Sequence, residues 1–149
     1  MSEQAILDIT CLQVGQWMIA IPSTEIITTI KPRITAITST VNWFEGMCTY
    51  DDEILPVYNL SVMANKNTRT SKFTYLLIGQ EDNPVAVIAV TRLVTKYVIN
   101  DEPIIKFKSK GDIITKNVLG QLITKSGNWL ILDVNSMLSD QAIKEIEIK

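Results

Sequence analysis

The sequence WFEGMCTYDDEILPVYNL, residues 43–60, carries strand, turn and helix-start signals in one continuous run. Its two strand candidates, Met47–Tyr50 and Glu53–Tyr58, flank a tight acidic turn at Asp51–Asp52. Short β-rich segments on either side of a two-residue turn are typical of a β-hairpin. This stretch therefore predicts a hairpin whose turn carries carboxylates at its tip.

Helical signals lie on both sides of the hairpin. We expect a short helical turn to open near Thr40 and to end at Gly46. Asn59 is a good N-cap residue and predicts a short helix through Leu60 and Met63. Gly46, Asn59 and the hairpin proline, Pro56, are therefore assigned structural roles.

The same order of signals occurs a second time. A gap-free shift of about 74 positions places Gly46 on Gly120 and Asn59 on Asp133, and the second copy reads GQLITKSGNWLILDVNSML, residues 120–138. Repetition at a fixed spacing predicts duplicated structural units. Gly120 is therefore interpreted as structural, and Asp133 as the cap of a second short helix.

Composition narrows the classes of function. The chain has 149 residues, 14 Lys and Arg against 16 Asp and Glu, and no histidine, so the commonest general base and zinc ligand is missing. The net charge is close to zero and the sequence has no basic stripe, which together disfavour nucleic acid as a partner. We expect Cys11 and Cys48 to be core thiols, no bound metal or cofactor, and, with neither a leader nor a long apolar run, a cytoplasmic protein.

About ten short strands and a few single-turn helices predict an all-β fold of two linked small barrels, since a βαβ sheet would need long helices. The polar stretch Asn65–Lys72 is the best boundary. We assign one domain, 1–149, with barrels at 12–70 and 71–138 and with the N-terminal strand and the C-terminal tail packing across them. Asn100–Lys110 is expected to be a loop, and Ser139 to cap a short tail helix.

These residues resemble the CheW-like domain family, the adaptor modules of bacterial chemosensory arrays. The resemblance spans nearly the whole chain and is clearest at Glu53–Leu60, at the strand Val85–Val94 and at Gly120–Leu138. It implies two five-stranded SH3-like barrels in a non-enzymatic scaffold. The implied partners are a chemoreceptor signalling tip and the regulatory domain of a CheA-type histidine kinase, with neither nucleic acid nor direct membrane insertion.

Two departures from the family pattern stand out. Asp51-Asp52 occupies the hairpin turn where the family usually carries Arg-Gly, and Thr91 follows Val90 where the family commonly has Asp. A reversed charge at a contact disfavours the usual partner. The departures suggest a divergent member, such as a scaffold of a pilus-linked chemosensory pathway.

The candidate partner-binding residues surround the acidic turn: Met47, Tyr50, Asp51, Asp52 and Glu53. Tyr and Met are enriched at interfaces, although Met47 also suits the barrel core. An enzyme using the adjacent carboxylates is the less favoured alternative, because neighbouring strand residues point to opposite faces. A peptide-binding barrel module that has lost receptor coupling is a further alternative.

Overall fold

The computed structural model describes residues 7–64 and 72–149. Within them the chain is mostly β-structure, as predicted. The strands are β1 (Leu7–Val14), β2 (Trp17–Pro22), β3 (Ile26–Ile30), β4 (Thr35–Ala36), β5 (Phe44–Tyr50), β6 (Glu53–Asn59), β7 (Thr74–Gln80), β8 (Asn83–Val90), β9 (Arg92–Ile99), β10 (Ile104–Ile105), β11 (Val118–Thr124) and β12 (Gly127–Leu132). Three short helices are α1 (Leu60–Ala64), α2 (Val134–Leu138) and α3 (Gln141–Lys144).

The strands form two six-stranded sheets. Sheet I has the order β10-β11-β12-β2-β1-β9, and sheet II has the order β3-β7-β8-β6-β5-β4. The paired neighbours are antiparallel except for β12 with β2 and β6 with β8, which are parallel. Each sheet has six strands where five were expected, because the two-residue strands β4 and β10 add an outer strand to each.

The repeat predicted from the sequence is confirmed in three dimensions. A shift of about 74 positions carries β5 onto β11, β6 onto β12 and α1 onto α2. The sheet orders match as well, with β3, β7 and β8 of sheet II standing where β9, β1 and β2 stand in sheet I. Sheet I therefore takes the hairpin β1–β2 from the first repeat and its remaining strands from the second repeat. Sheet II does the reverse, with the hairpin β7–β8 from the second repeat and its remaining strands from the first.

This exchange of hairpins divides the chain differently from the boundary expected at residues 70 and 71. Sheet II contains the strands between residues 26 and 90, whereas sheet I joins the strands of 7–22 to those of 92–132. The parallel pairing of β6 with β8 holds the second repeat's hairpin in sheet II. Most of the predicted linker, 65–71, lies outside the described residues.

Three groups of buried side chains stabilise the fold. The largest contains side chains from both sheets and from α1 and α2, among them Leu12, Leu76 and Met137. A smaller group in sheet I includes Cys11, and one in sheet II includes Cys48. Both thiols are buried and free, as expected, and burial raises the pKa of Cys11 to about 11. A thiol held in its neutral form is a packing group and a poor nucleophile.

The prediction that a helical turn runs from Thr40 to Gly46 is wrong. Gly46 lies inside β5, at a bulge between the pairs Phe44 with Tyr58 and Gly46 with Val57. Its φ is +136°, and a Cβ there would lie 2.0 Å from the Thr35 carbonyl oxygen. The glycine is required because strand β4 crosses its backbone too closely for any side chain.

Gly120 has the matching place in sheet I. Strand β11 has a bulge between Val118 and Gly120, and a Cβ on Gly120 would lie 2.8 Å from Ile104 Cγ2 and 3.1 Å from the Ile105 carbonyl oxygen. The expected loop at 100–110 therefore contains the outer strand β10, which lies over this glycine. The structural roles assigned to both glycines are explained by these two short outer strands.

The predicted caps of α1 and α2 are confirmed. The Val62 N–H donates to Asn59 Oδ1 at 3.0 Å, and the Ser136 N–H donates to Asp133 Oδ1 at 3.0 Å. The cap of α3 was misassigned by one residue, because Asp140, not Ser139, accepts from the Ala142 N–H. A carboxylate accepts from backbone N–H groups more strongly than a hydroxyl does.

Candidate functional site

The acidic turn connects β5 to β6 with two residues. Tyr50 and Glu53 form the last strand pair, and Asp51 and Asp52 have φ angles of 47° and 65°. Both residues are therefore left-handed, as a tight hairpin turn of this twist requires, and Asp tolerates that conformation better than most residues. The predicted hairpin and turn are confirmed.

The turn presents its charges to solvent. Asp51, Asp52 and Glu53 are exposed, and none of them forms an ion pair or a side-chain hydrogen bond within the described residues. The tip of this hairpin therefore carries three carboxylates in a row that have no partner among the described residues.

The other two candidate residues are less accessible. Tyr50 is half-buried against the smaller core group of sheet II, and Met47 is half-buried against the large core group. Pro56 stands opposite Met47 in the β5–β6 ladder, so both serve the packing of the hairpin. A contact of Met47 with a partner stays a prediction.

Sequence reasoning missed Ile54. Its side chain is 71% exposed, whereas Leu55 is 4% exposed and Val57 is fully buried. Alternation along a strand gave the available signal, because a buried Leu55 and Val57 put Ile54 on the opposite face. Ile54 adds an apolar side chain to the acidic turn, which makes this tip a mixed charged and apolar surface.

A second surface lies where the two sheets meet along β3 and β9. An open cavity of about 630 Å³ is lined mainly by residues 29–32 and 73–75 together with Leu93. A smaller cavity continues along the same strands and adds Ser23, Ile26 and Lys96 to its lining. Both β3 and β9 are outer strands of their sheets, so this cleft exists only because the sheets pack together.

Thr91 joins three parts of the fold at the crossing from sheet II to sheet I. Its Oγ1 accepts from the Gly15 N–H at 2.9 Å and lies 2.7 Å from the Ser61 hydroxyl. Its own N–H donates to the Gln13 carbonyl oxygen at 2.9 Å. The departure at this position therefore keeps a hydrogen-bonding residue that ties the β1–β2 turn and α1 to the crossing.

Glu45 organises a polar network beneath the hairpin. Its carboxylate accepts from Asn59 Nδ2 at 3.1 Å and from the Tyr75 hydroxyl at 3.0 Å. Burial raises the pKa of Tyr75 to about 12, and the neighbouring Glu45 carboxylate adds to the rise. Because Asn59 donates to Glu45, its side-chain oxygen is turned toward α1. The network is a structural joint between β5, β6 and β7.

The described residues hold no group of three or more His, Cys, Asp or Glu side chains arranged to bind a metal ion. Two further carboxylates accept from backbone N–H groups: Asp112 accepts from Ile114 and Thr115, and Asp140 accepts from Ala142. In the same part of the chain, no helix has the length and apolar character to cross a bilayer. The acidic turn and the cleft are among the accessible features of the described residues.

This arrangement of two exchanged, duplicated sheets is that of the CheW-like domain family, and the chain belongs to it: the family model matches residues 8–142. The resemblance found in the sequence is therefore confirmed.

The solved structures that share the fold include the crystal structure of scaffolding protein TtCheW from Thermoanaerobacter tengcongensis. That structure aligns with a TM-score of 0.75 at 16% sequence identity, over 92% of this chain and 95% of that chain. A sequence comparison with curated proteins finds no match.

Proposed function

We propose that this protein is a non-enzymatic chemosensory adaptor that couples chemoreceptors to a CheA-type histidine kinase. The observation that carries the proposal is the family match over residues 8–142, which leaves only short ends of the chain unmatched. The similar structure is described as a scaffolding protein, which is consistent with this role. In such a role the chain acts in the cytoplasm, at receptor arrays.

The surface chemistry supports a binding role. The acidic turn offers charge, an exposed aliphatic residue in Ile54 and a half-buried aromatic residue in Tyr50. Interfaces combine apolar anchors with a polar rim that sets orientation and partner choice. We therefore assign Tyr50, Asp51, Asp52 and Glu53, together with Met47 beneath them, to partner recognition.

The charge of the turn favours a specialised member over a general one. A partner that pairs with an arginine turn carries acidic groups, and those groups would repel Asp51 and Asp52. The proposed kinase or receptor must therefore present basic or neutral groups at this contact. A scaffold dedicated to a separate pathway, such as a pilus-linked one, is the second candidate on the strength of this reversal.

Calorimetric titration of the purified protein tests the proposal. The titrants are the regulatory domain of each CheA-type kinase and the signalling-tip fragment of each chemoreceptor encoded in the same genome. Binding to one kinase and at least one receptor is the expected result. Binding to a kinase and receptor of only one pathway identifies a dedicated scaffold. Binding to none of them at about 1 mM contradicts the coupling role.

A further inference from the structure

The two outer strands of sheet I come together at one place. β9 and β10 lie at opposite ends of its strand order, yet residues 100–103 alone connect them. The Ile123 N–H donates to the Pro103 carbonyl oxygen at 3.0 Å, and the Tyr97 hydroxyl donates to the Glu102 carboxylate. Sheet I therefore curls into a small barrel, and its mouth lies between β9, this connection and the β11–β12 turn.

The mouth of the sheet I barrel holds an open cavity of about 790 Å³. Tyr97, Pro103 and Ile123 form its apolar wall, and Tyr97 also packs on the buried group of sheet I that includes Cys11. Small molecules commonly bind in the mouths of β-barrels, in cavities of about 300–1,000 Å³. The size and the place of this cavity therefore suit a ligand.

The internal repeat shows that the fold does not require an open mouth. Thr124 of β11 corresponds to Tyr50 of β5, and each is the last strand residue before its turn, paired with Gly127 or Glu53. The Tyr50 side chain packs on the buried group of sheet II, whereas the small Thr124 side chain donates to the Gly127 carbonyl oxygen. The same strand pairing therefore accommodates an aromatic side chain in one barrel and a cavity beside a small side chain in the other.

Two charges of opposite sign line this cavity. The Glu102 carboxylate is oriented by the Tyr97 hydroxyl and by the Asn100 N–H, which donates at 2.8 Å. The hydrogen bond from Tyr97 lowers the pKa of the Glu102 carboxyl, which keeps it ionised at neutral pH. Lys125 is exposed and forms no ion pair within the described residues, and the Ser126 hydroxyl lies beside it in the lining. Because Lys125 and Glu102 do not pair with each other, one ligand can contact both charges.

We propose that the mouth of the sheet I barrel binds a short zwitterionic peptide. Its carboxylate would lie at Lys125, its ammonium group at Glu102, and an apolar side chain against Tyr97, Pro103 and Ile123. A simple anion would be repelled by Glu102 and a simple cation by Lys125, so a ligand that carries both charges fits best. The cavity is larger than a single amino acid, which favours a peptide. This goes beyond the proposed function, because coupling a receptor to a kinase requires no small ligand.

Titration of the isotope-labelled full chain with the dipeptide Leu-Phe tests the site by nuclear magnetic resonance. We expect saturable shifts of the Ile123 and Lys125 backbone N–H signals, with a Kd of about 1 mM for so open a site. The signals of Thr49 and Asp51, the matching residues of sheet II, should not move. Free phenylalanine should bind at least threefold more weakly. Equal affinity would assign the site to free amino acids and overturn the peptide.

Capped dipeptides assign each end of the ligand to one residue. N-acetyl-Leu-Phe lacks the ammonium group and Leu-Phe amide lacks the carboxylate, so each should bind the wild type at least fivefold more weakly. Lys125→Gln should weaken binding of Leu-Phe by a similar factor and leave the affinity for the amide unchanged. Glu102→Gln should do the same for Leu-Phe and for the acetylated form. Such matched losses are the signature of a direct pairwise contact.

Two further variants separate the cavity from general effects of charge and stability. Thr124→Tyr introduces the residue that the sheet II barrel carries at this position, and it should abolish binding without lowering the melting temperature. Lys108→Gln removes an exposed lysine that does not line the cavity, and it should leave binding unchanged. Lys125 is exposed and unpaired, so its substitution tests the site even if Glu102→Gln lowers stability through the loss of the Tyr97 hydrogen bond.

Three results would overturn the proposal: no saturable shift at about 50 mM Leu-Phe, equal binding of free and capped dipeptides, or full binding by Thr124→Tyr. The titration uses this protein alone. Its outcome is therefore independent of the adaptor role, which is tested by calorimetry with the kinase and receptor fragments.

Discussion

The hairpins β5–β6 and β11–β12 are built alike and carry different surfaces. In each, a glycine bulge is followed by a capped helix, and the backbone N–H of the cap residue donates to a carbonyl oxygen at the same position of the repeat: Asn59 to Trp43 at 2.7 Å, and Asp133 to Asn117 at 2.9 Å. The turns differ, with Asp51-Asp52 in one hairpin and Lys125-Ser126 in the other.

The comparison shows which positions the fold constrains. Val57 and Ile131 are both buried, as are Leu60 and Val134, so matching positions inside the two repeats stay apolar. The exposed positions have diverged in charge and polarity. Because burial is common to both hairpins and surface chemistry is not, folding does not require the differences between their exposed residues.

The largest expected effect is at the glycine bulges. Gly46→Ala should destabilise the protein by at least about 3 kcal/mol, because the new Cβ meets the Thr35 backbone and φ is positive. Gly120→Ala should cost about 1–3 kcal/mol, since its nearest neighbour is the Ile104 side chain, which can move. Urea unfolding of both variants measures the difference, and equal losses would contradict the close approach of β4.

Removing the helix caps should destabilise the protein less than the glycine substitutions do, and the two cap variants should differ less from each other. Asn59→Ala removes the cap of α1 and one donor to Glu45, which we expect to cost about 1–2 kcal/mol. Asp133→Ala removes only the cap of α2 and should cost about 0.5–1 kcal/mol. Thermal unfolding of the two variants compares them. A larger loss for Asp133→Ala would show that the Glu45 network does not stabilise the first hairpin.

The Glu45 network also predicts a pH dependence that the second hairpin, with Leu119 in that place, does not share. The folded-state pKa of Tyr75 is raised from 10.0 to about 12, so its contribution to stability is complete below pH 10 and is lost as the pH rises to about 12. Urea unfolding in this range should show a shallower loss for Tyr75→Phe than for wild type. Measuring both in a Cys11→Ala background removes the thiol, whose pKa is about 11.

The smallest effect on stability is expected at the turn tip. Asp51→Arg should lower the free energy of unfolding by about 0.5 kcal/mol, because the side chain is exposed and has no partner within the described residues, so that the main cost is placing Arg instead of Asp at a positive φ. Its affinity for the kinase or receptor fragment should change at least tenfold if the turn is part of that contact. Lys125→Asp, at the matching turn of the second hairpin, is the control. Unchanged affinity for Asp51→Arg would remove the turn from the interface.

Local signals determined much of this protein from the sequence. The sequence predicted the 74-residue repeat, the acidic turn, the burial of the two cysteines and the caps Asn59 and Asp133. Each of these features depends on neighbouring residues or on burial patterns along a strand. Cap residues act within one helical turn, and a tight turn is set by two residues. Such features need no knowledge of distant contacts.

Tertiary structure decided what depends on distant strands. The exchange of hairpins between the repeats follows from parallel pairings between β6 and β8 and between β12 and β2, which no local pattern specifies. Gly46 was misread as the end of a helical turn because the reason for it is the backbone of Thr35, eleven residues earlier. The cleft between β3 and β9 forms only when the sheets pack together. The packing also decides which face of β6 is buried: Leu55 and Val57 lie in a buried group of side chains, which leaves Ile54 on the exposed face.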